Sequence, residues 1–251
     1  HSLAVKSDGT AWAWGQNNAG QLGDWTYTQR YAAVQVRGLN GVVAVACGML
    51  HSLAVMSDGT ARAWGYNVQG QLGDGTTTQR AGAMPVIGLT GVIAIAGGAN
   101  YSLAMRDDGS AWAWGENNAG QLGDGTATQR ITPVQVSGLT GVTAIACGGY
   151  HSIAVKSGET VWAWGKNSDG QLGDGTTTLR TTHVQVNITI AIDTKPPTVA
   201  SANPANNATD VAINSKITAT FSEGIDVATI NSSTFMVCYG TNTVSGAVSY
   251  S

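Results

Sequence analysis

The sequence is poor in charged residues. Lys, Arg, Asp and Glu make up 11% of its 251 residues, against about a quarter in an average soluble domain. The formal net charge is −3, and no run of Lys or Arg offers the positive patch that nucleic acid or an anionic membrane surface would bind. Apolar runs are short, and none approaches the roughly 18 residues of a membrane-spanning helix. The composition therefore argues against nucleic-acid binding and against a membrane span in this chain.

Cysteine is also scarce. The chain has three, of which Cys47 and Cys147 stand at the same place in two copies of a repeat where another copy has Gly97. Replacement by glycine predicts small, buried, unpaired residues at this position and not a disulfide. The spacing of the cysteines matches no metal site, so we expect neither a metal nor a cofactor.

Glycine, by contrast, is abundant, and much of it belongs to an internal repeat. The 34 glycines are about twice the usual share. Four segments beginning at residues 1, 51, 101 and 151 read HSLAVKSDGTAWAWGQNNAGQLGD, HSLAVMSDGTARAWGYNVQGQLGD, YSLAMRDDGSAWAWGENNAGQLGD and HSIAVKSGETVWAWGKNSDGQLGD. A period of 50 residues without helical periodicity predicts the blades of a β-propeller and disfavours helical repeats.

Each repeat contains a predicted β-hairpin. In the first repeat two alternating runs flank Asp8 and Gly9, and Asp-Gly is a strong signal for a two-residue turn. Counting outward from that turn places Val5 opposite Trp12. On this register the tryptophans would share one face of the sheet with the aliphatic residues, a favourable cross-strand pairing.

Further strands complete the predicted blade. Residues 41–46 and their counterparts are rich in Ala and Gly, which predicts a crowded position near the propeller axis. Residues 34–36 are predicted to form a short strand after a stretch of turn residues. In the fourth repeat, Gly158 and Glu159 replace Asp-Gly and fit the Gly-X form of a two-residue turn.

These motifs resemble those of one family. The pattern H-S-L-A-V, D-G-T, W-A-W-G-x-N-x-x-G-Q-L-G-D-G-T, R and P-V-x-V is similar to the repeat of the RCC1 (regulator of chromosome condensation) family. The resemblance implies a β-propeller, typically of seven four-stranded blades, in which each repeat straddles two blades. Four repeats supply about four blades, so either further blades lie upstream of residue 1 or the chain is an open arc. The resemblance covers residues 1–187, in units 1–50, 51–100, 101–150 and 151–187.

The repeat ends after Val186, and a different segment follows. Residues 188–197 contain a Pro-Pro pair and predict a stiff linker. In residues 198–251, alternation of apolar and polar residues around Phe221 predicts a half-buried antiparallel strand. The text PPTVASANPANNATDVAINSKITATFSEG resembles bacterial Ig-like domains of secreted and surface-layer proteins and covers about half of such a sandwich. The predicted fold is therefore all-β: a partial RCC1-like β-propeller plus a truncated Ig-like β-sandwich.

Columns that hardly vary between repeats predict scaffold residues. One member per blade lies a blade away from the next, which does not bring catalytic groups together. A calcium loop would need several carboxylates at alternate positions, and only one is present here. We expect hydrogen-bonding, core and ion-pair roles for His51 and His151; Trp14, Trp64, Trp114 and Trp164; Asp74, Asp124 and Asp174; and Arg80, Arg130 and Arg180.

Columns that differ between repeats are better candidates for binding. One follows WAWG, with variable neighbours such as Val68 and Asn118, and another precedes the histidine column. Hairpin counting with His51 opposite Tyr66 puts both columns on the face away from the Asp-Gly turns. A second aromatic cluster surrounds Trp25, which replaces a Gly of the other repeats. The predicted binding residues are Gln16, Tyr66, Glu116 and Lys166; Met49, Leu50, Asn100 and Tyr150; and Trp25, Tyr27 and Tyr31.

The sequence shows no Ser/His/Asp set, paired carboxylates or phosphate-binding loop. We therefore expect a non-catalytic binding or scaffold module of a secreted or cell-surface bacterial protein. It would recognise another protein through one propeller face, with a glycan left open as ligand. Two alternatives stay open: an enzyme that uses this face, either a lyase or a guanine-nucleotide exchange factor, and an adhesin stalk without a specific ligand.

Overall fold

The computed structural model describes residues 1–188, 198–205, 208–212, 215–222, 237–239 and 242–244. These described residues form β-strands and no helix, so the all-β prediction is confirmed. The chain divides into two compact units, His1–Thr189 and Ile190–Ser251, and each is described by itself. Apart from residue 188, the predicted linker lies outside the described residues.

The first unit contains fifteen strands. They are β1 Ser2–Val5, β2 Ala11–Gly15, β3 Arg30–Gln35, β4 Val42–Cys47, β5 His51–Met56, β6 Ala61–Gly65, β7 Arg80–Pro85, β8 Val92–Gly97, β9 Tyr101–Arg106, β10 Ala111–Gly115, β11 Arg130–Gln135, β12 Val142–Cys147, β13 His151–Lys156, β14 Thr160–Gly165 and β15 Arg180–Gln185. The strand predicted at residues 34–36 is thus longer, begins at Arg30 and ends before Val36.

These strands form four antiparallel sheets, which are the blades of an open, partial propeller. The first sheet has the order β1-β2-β3, and the others have the orders β4-β5-β6-β7, β8-β9-β10-β11 and β12-β13-β14-β15. Each four-stranded sheet therefore takes its first strand from one sequence repeat and the other three from the next. This is the straddling arrangement that the family resemblance implies.

The strands rich in Ala and Gly, β4, β8 and β12, form the inner edge of their blades. Strand β4 contacts β8, and β8 contacts β12. A Cβ at Gly97 would lie 2.6 Å from Gly48 N and 2.7 Å from Cys47 O, so the predicted crowding of this position is confirmed. The prediction that both cysteines are buried is wrong for Cys47, which is exposed, while Cys147 is partly buried.

The hairpin turn is one residue longer than predicted. Residues 7–9 form a three-residue loop that ends with Gly9 at a φ of 77°. Trp12 consequently lies opposite Ala4, and not opposite Val5. The predicted register is wrong because a turn followed by a left-handed residue adds one residue to the loop.

The same longer loop occurs in the fourth repeat, where a two-residue Gly-X turn was expected. Lys156 pairs with Thr160, which leaves residues 157–159 as the loop. Its last residue, Glu159, has a φ of 60°. A glutamate therefore occupies the left-handed position that glycine fills in the other repeats, a conformation that residues other than Gly, Asn and Asp seldom adopt.

The shifted register separates the tryptophans from the aliphatic residues. Trp64 packs with Ala11, Ala13 and other residues of the first repeat. Leu53, from the facing strand, packs on the other side of the sheet with Trp114 of the third repeat. The predicted shared face is therefore wrong. Both faces of an internal blade are buried, and each interface joins aliphatic side chains of one blade to a tryptophan of the next.

In the second unit, β16 Val199–Asn203 pairs with β17 Thr218–Phe221, and β18 Val237–Tyr239 pairs with β19 Asn242–Val244. The antiparallel strand predicted around Phe221 is confirmed. About half of the predicted Ig-like segment, residues 198–251, lies outside the described residues, and its assignment stays a prediction.

Candidate functional site

A buried polar network fixes the long loop between the third and fourth strands of each blade. Asn67 donates from Nδ2 to Asp74 Oδ1 at 3.1 Å, to Thr76 O at 3.1 Å and to Thr78 O at 3.0 Å. Its Oδ1 accepts the N–H of Leu72 at 2.9 Å. The same bonds surround Asn17, Asn117 and Asn167.

The repeat motif contains this asparagine column but does not by itself indicate its specific role. Its repetition points to a structural role, because every repeat reads W-G-x-N. A side chain that ties three segments of one loop together is needed in each blade. Asn67 is fully buried, so it belongs to the scaffold.

The predicted Asp and Arg columns pair inside each repeat. Arg80 Nε lies 3.1 Å from Asp74 Oδ2, and the arginine begins the outer strand of the blade. Burial raises the pKa of Asp74, but hydrogen bonds from Thr76 and Arg80 outweigh it, so that the pKa lies below its usual value. The equivalent pairs are Arg30 with Asp24, Arg130 with Asp124 and Arg180 with Asp174.

The histidine column bonds from one blade to the next. His51 Nε2 lies 3.0 Å from Ser102 Oγ, and burial lowers the pKa of His51 to about 4. Tyr101 replaces the histidine in the third repeat, where Ser152 Oγ donates to its hydroxyl at 3.1 Å. That hydroxyl in turn donates to the carbonyl of the partly buried His151. His51 and Tyr101 of this column therefore make interblade contacts through their side chains.

The tryptophans of the WAWG motif make a second interblade contact. Trp64 Nε1 donates to Gln21 O of the preceding repeat at 2.9 Å, and Trp114 and Trp164 repeat this bond one and two blades on. All three are fully buried, whereas Trp14 of the first repeat is 36% exposed. Trp14 is thus the one member of the column that lies at the surface.

The two variable columns meet at one end of the blades. Tyr66 N donates to Leu50 O at 2.9 Å and Glu116 N donates to Asn100 O at 2.9 Å. The same bond joins Lys166 N to the carbonyl of Tyr150. His51 lies opposite Gly65, and not Tyr66 as predicted, but this one-residue shift leaves both columns away from the Asp-Gly turns.

We call this surface the variable rim. It comprises Gln16, Asn18, Met49, Leu50, Tyr66, Val68, Ala99, Asn100, Glu116, Asn118, Gly149, Tyr150, Lys166, Ser168 and Asp169. Its chemistry changes along the blades. The second blade presents Met49, 66% exposed, and Val68, 51% exposed. The third presents amides and a carboxylate, and in the fourth Lys166 lies 3.6 Å from Asp169.

The aromatic cluster around Trp25 lies elsewhere. Trp25 N donates to Ala81 O in β7 at 3.1 Å, and a Cβ at Gly82 would lie 2.6 Å from the indole ring. Trp25 is therefore packed on the outer strand of the next blade and not on the variable rim. Tyr27 and Tyr31 are 54% and 93% exposed, and Tyr31 lies on the outer strand β3 of its own blade.

The described residues contain no cluster of three or more His, Cys, Asp or Glu side chains arranged to hold a metal ion. In the same residues, no helix is long and apolar enough to cross a membrane.

The model of the RCC1-like domain matches residues 1–230. The chain belongs to the RCC1-like domain family. None of the curated proteins matches it.

Solved structures share the RCC1-like fold. The chain is similar to human WBSCR16, with 26% identity and a TM-score of 0.65 over 74% of this chain and 49% of that one. It is also similar to yeast RCC1 (Prp20) in a complex with Kap60, with 21% identity and a TM-score of 0.66 over 75% and 47% of the two chains. A further structure of Saccharomyces cerevisiae Prp20p gives 22% identity and a TM-score of 0.65 over 75% and 49%. The RCC1-like chain spans about half the length of these proteins.

Proposed function

We propose that this RCC1-like propeller is a non-catalytic module that binds another protein through the variable rim. The observation that carries the proposal is the backbone pairing of the two variable columns, seen at Tyr66 with Leu50 and at Glu116 with Asn100. The residues of these two variable columns are thereby gathered on one face, whereas the repeated Trp64, Asn67 and Asp74 are buried. A rigid face with aromatic, aliphatic and charged side chains has the composition of a protein interface.

Two similar structures support this class of function. One is described as yeast RCC1 bound to Kap60, and the other by its binding to Gsp1p and histones. Both statements concern the yeast protein. They support protein binding as the use of the fold here, without naming a partner for this chain.

We also propose that the propeller belongs to a secreted or cell-surface bacterial protein in which Ig-like modules act as spacers. The support is the resemblance of the segment that begins at Pro196 to Ig-like domains of such proteins. The complete reading frame tests this proposal. A secretion signal upstream would support it, and a nuclear-import signal would contradict it.

Binding through the variable rim is tested by capture with purified protein. The rim variant carries Tyr66→Ala, Glu116→Ala and Lys166→Ala. The control variant carries Asn40→Ala, Thr90→Ala and Thr140→Ala, three exposed positions beside the Asp-Gly turns on the opposite face.

We expect wild type and control to capture the same protein from the source organism and the rim variant to lose at least about 90% of it, because truncating central interface residues costs more than 1 kcal/mol each. All three proteins should melt at the same temperature. Equal capture by all three would contradict the rim assignment. A rim-dependent signal on a glycan array, without protein capture, would change the ligand class.

A further inference from the structure

The third repeat holds a carboxylate on the variable rim in a fixed orientation. Glu116 Oε2 accepts a hydrogen bond from Asn100 Nδ2 at 3.1 Å, and Glu116 Oε1 accepts one from Asn118 Nδ2 at 3.3 Å. Gln71 Nε2 donates to Asn100 Oδ1 at 3.4 Å, which turns the amide nitrogen of Asn100 toward the carboxylate. A carboxylate has about four lone-pair sites, so both oxygens keep accepting capacity for a ligand.

Glu116 also has no cationic partner among the described residues of its chain. In the part of the chain that the structure describes, the ion pairs do not include Glu116. The nearby acid of the rim, Asp169, lies 3.6 Å from Lys166. At the equivalent positions of the first and second repeats stand Gln16 and Tyr66, which are uncharged. The oriented negative charge is therefore specific to the third repeat.

An exposed apolar strip adjoins this carboxylate. It consists of Met49 and Val68, which are more than half exposed, and of Leu50 and Tyr66, which are partly exposed. Met49 N donates to Gly98 O at 3.2 Å, two residues before the asparagine that holds the carboxylate. The loop that carries Val68 also supplies Gln71, the partner of that asparagine. The strip and the carboxylate are thus neighbours across one blade interface.

We infer that this part of the variable rim binds a segment of a partner protein that presents Arg or Lys directly beside an aliphatic or aromatic side chain. The cation would take the free lone pairs of Glu116, and the apolar side chain would cover Met49 and Val68. Hydrogen bonds between a carboxylate and a cationic side chain are about twice as strong as those between neutral groups. Acidic segments would be repelled by the negative charge of Glu116. The inference rests on the proposed function, because it assigns a partner chemistry to the same face.

A phage-displayed library of random dodecapeptides, panned against the full chain, tests the inference. We expect the selected peptides to share a basic residue next to Leu, Met, Phe or Tyr. A synthetic selected peptide should bind at least about tenfold more weakly to the Glu116→Gln variant, which removes the charge and keeps the size of the side chain. The matched control is Asp107→Asn, an exposed acid in the Asp-Gly turn of the same repeat on the opposite face, and it should bind as wild type does.

Other results would contradict the cation site, the proposed binding through the variable rim, or both. Apolar or acidic peptides that bind the rim and ignore Glu116→Gln overturn the cation site and leave the proposed function intact. Peptides that bind wild type and the Tyr66→Ala, Glu116→Ala, Lys166→Ala variant equally overturn both, and failure to enrich any peptide counts against the inference. Concentration-dependent dimers in light scattering that Met49→Ala abolishes would show that a second copy covers the strip, which also overturns it.

Discussion

Asn117 and Asn118 are consecutive residues in regions of opposite character. Asn117 lies in the buried loop network, where it bonds Asp124, two carbonyls and a backbone N–H of its own loop. Asn118 lies exposed on the variable rim, where it donates to Glu116. The first position is Asn in all four repeats and the second is not. Repetition therefore marks the residues that hold a blade together, and variation marks those that a partner could distinguish.

The same substitution at these two positions tests that contrast most strongly. Asn117→Ala removes the partner of several buried polar groups, each of which costs about 1–3 kcal/mol when left unsatisfied, so we expect a loss of about 4 kcal/mol in the free energy of unfolding. Asn118→Ala should change it by less than about 0.5 kcal/mol. Urea denaturation measures both. Similar losses would remove the distinction between network and rim.

The histidine column offers a pH-dependent test. Burial lowers the folded-state pKa of His51 to about 4, below an unfolded value of about 6.5. Above about pH 6.5 the ring is neutral in both states, and its protonation costs no stability. As the pH falls from about 6.5 to 4, the unfolded chain takes up a proton that the buried ring does not, so the free energy of unfolding falls by on the order of 3 kcal/mol in all.

His51→Tyr, which copies Tyr101 of the third repeat, should flatten the decline in unfolding free energy between about pH 6.5 and 4. His151→Tyr is the control with a smaller expected effect, because His151 is only partly buried. An unchanged pH profile in the His51 variant would show that this ring does not couple folding to protonation.

The contact of Trp25 with Gly82 tests the boundary of the comparison. Trp25 has a φ of 65°, where the other repeats place glycine. The position of Gly82 is occupied by Thr132 and Thr182 in the following repeats. Trp25, which is 62% exposed, thus lies against the missing side chain of Gly82 across a blade interface.

Gly82→Thr should cost about 2 kcal/mol, because its Cβ would overlap the indole ring. Adding Trp25→Gly should recover most of this loss by removing both the overlap and a left-handed non-glycine residue. Denaturation of the two single variants and the double variant gives the coupling energy. Strictly additive losses would show that Trp25 and Gly82 do not interact.

Much of the propeller could be predicted from the repeat alone. A period of 50 residues, small residues in one strand and Asp-Gly between alternating runs led to the blade architecture. The register could not be predicted, because Ser-Asp-Gly-Thr is compatible with a loop of two or of three residues. That choice decides which side chains face which neighbour, and the tryptophans were consequently placed on the wrong side.

The predicted location of the variable rim does not depend on this register. A slip of one residue moves side chains between the two faces of a strand, but it leaves both ends of the hairpin where they are. Tyr66 and Leu50 therefore meet as predicted. The packing of Trp25 on Gly82 cannot be predicted from the aligned repeats, because the two residues stand in different columns and meet only across a blade interface.

The bond from Trp64 to Gln21 has a consequence for the length of such proteins. It spans 43 residues, and the same span recurs at Trp114 with Gln71 and at Trp164 with Gln121. Each blade thus depends on its immediate predecessor, as in repeat proteins whose stability sums over neighbouring units. In-frame duplication or deletion of one whole unit of 50 residues would recreate the same joint between the new neighbours. Blade number can therefore change in single genetic steps, while the variable rim gains or loses one set of variable residues each time.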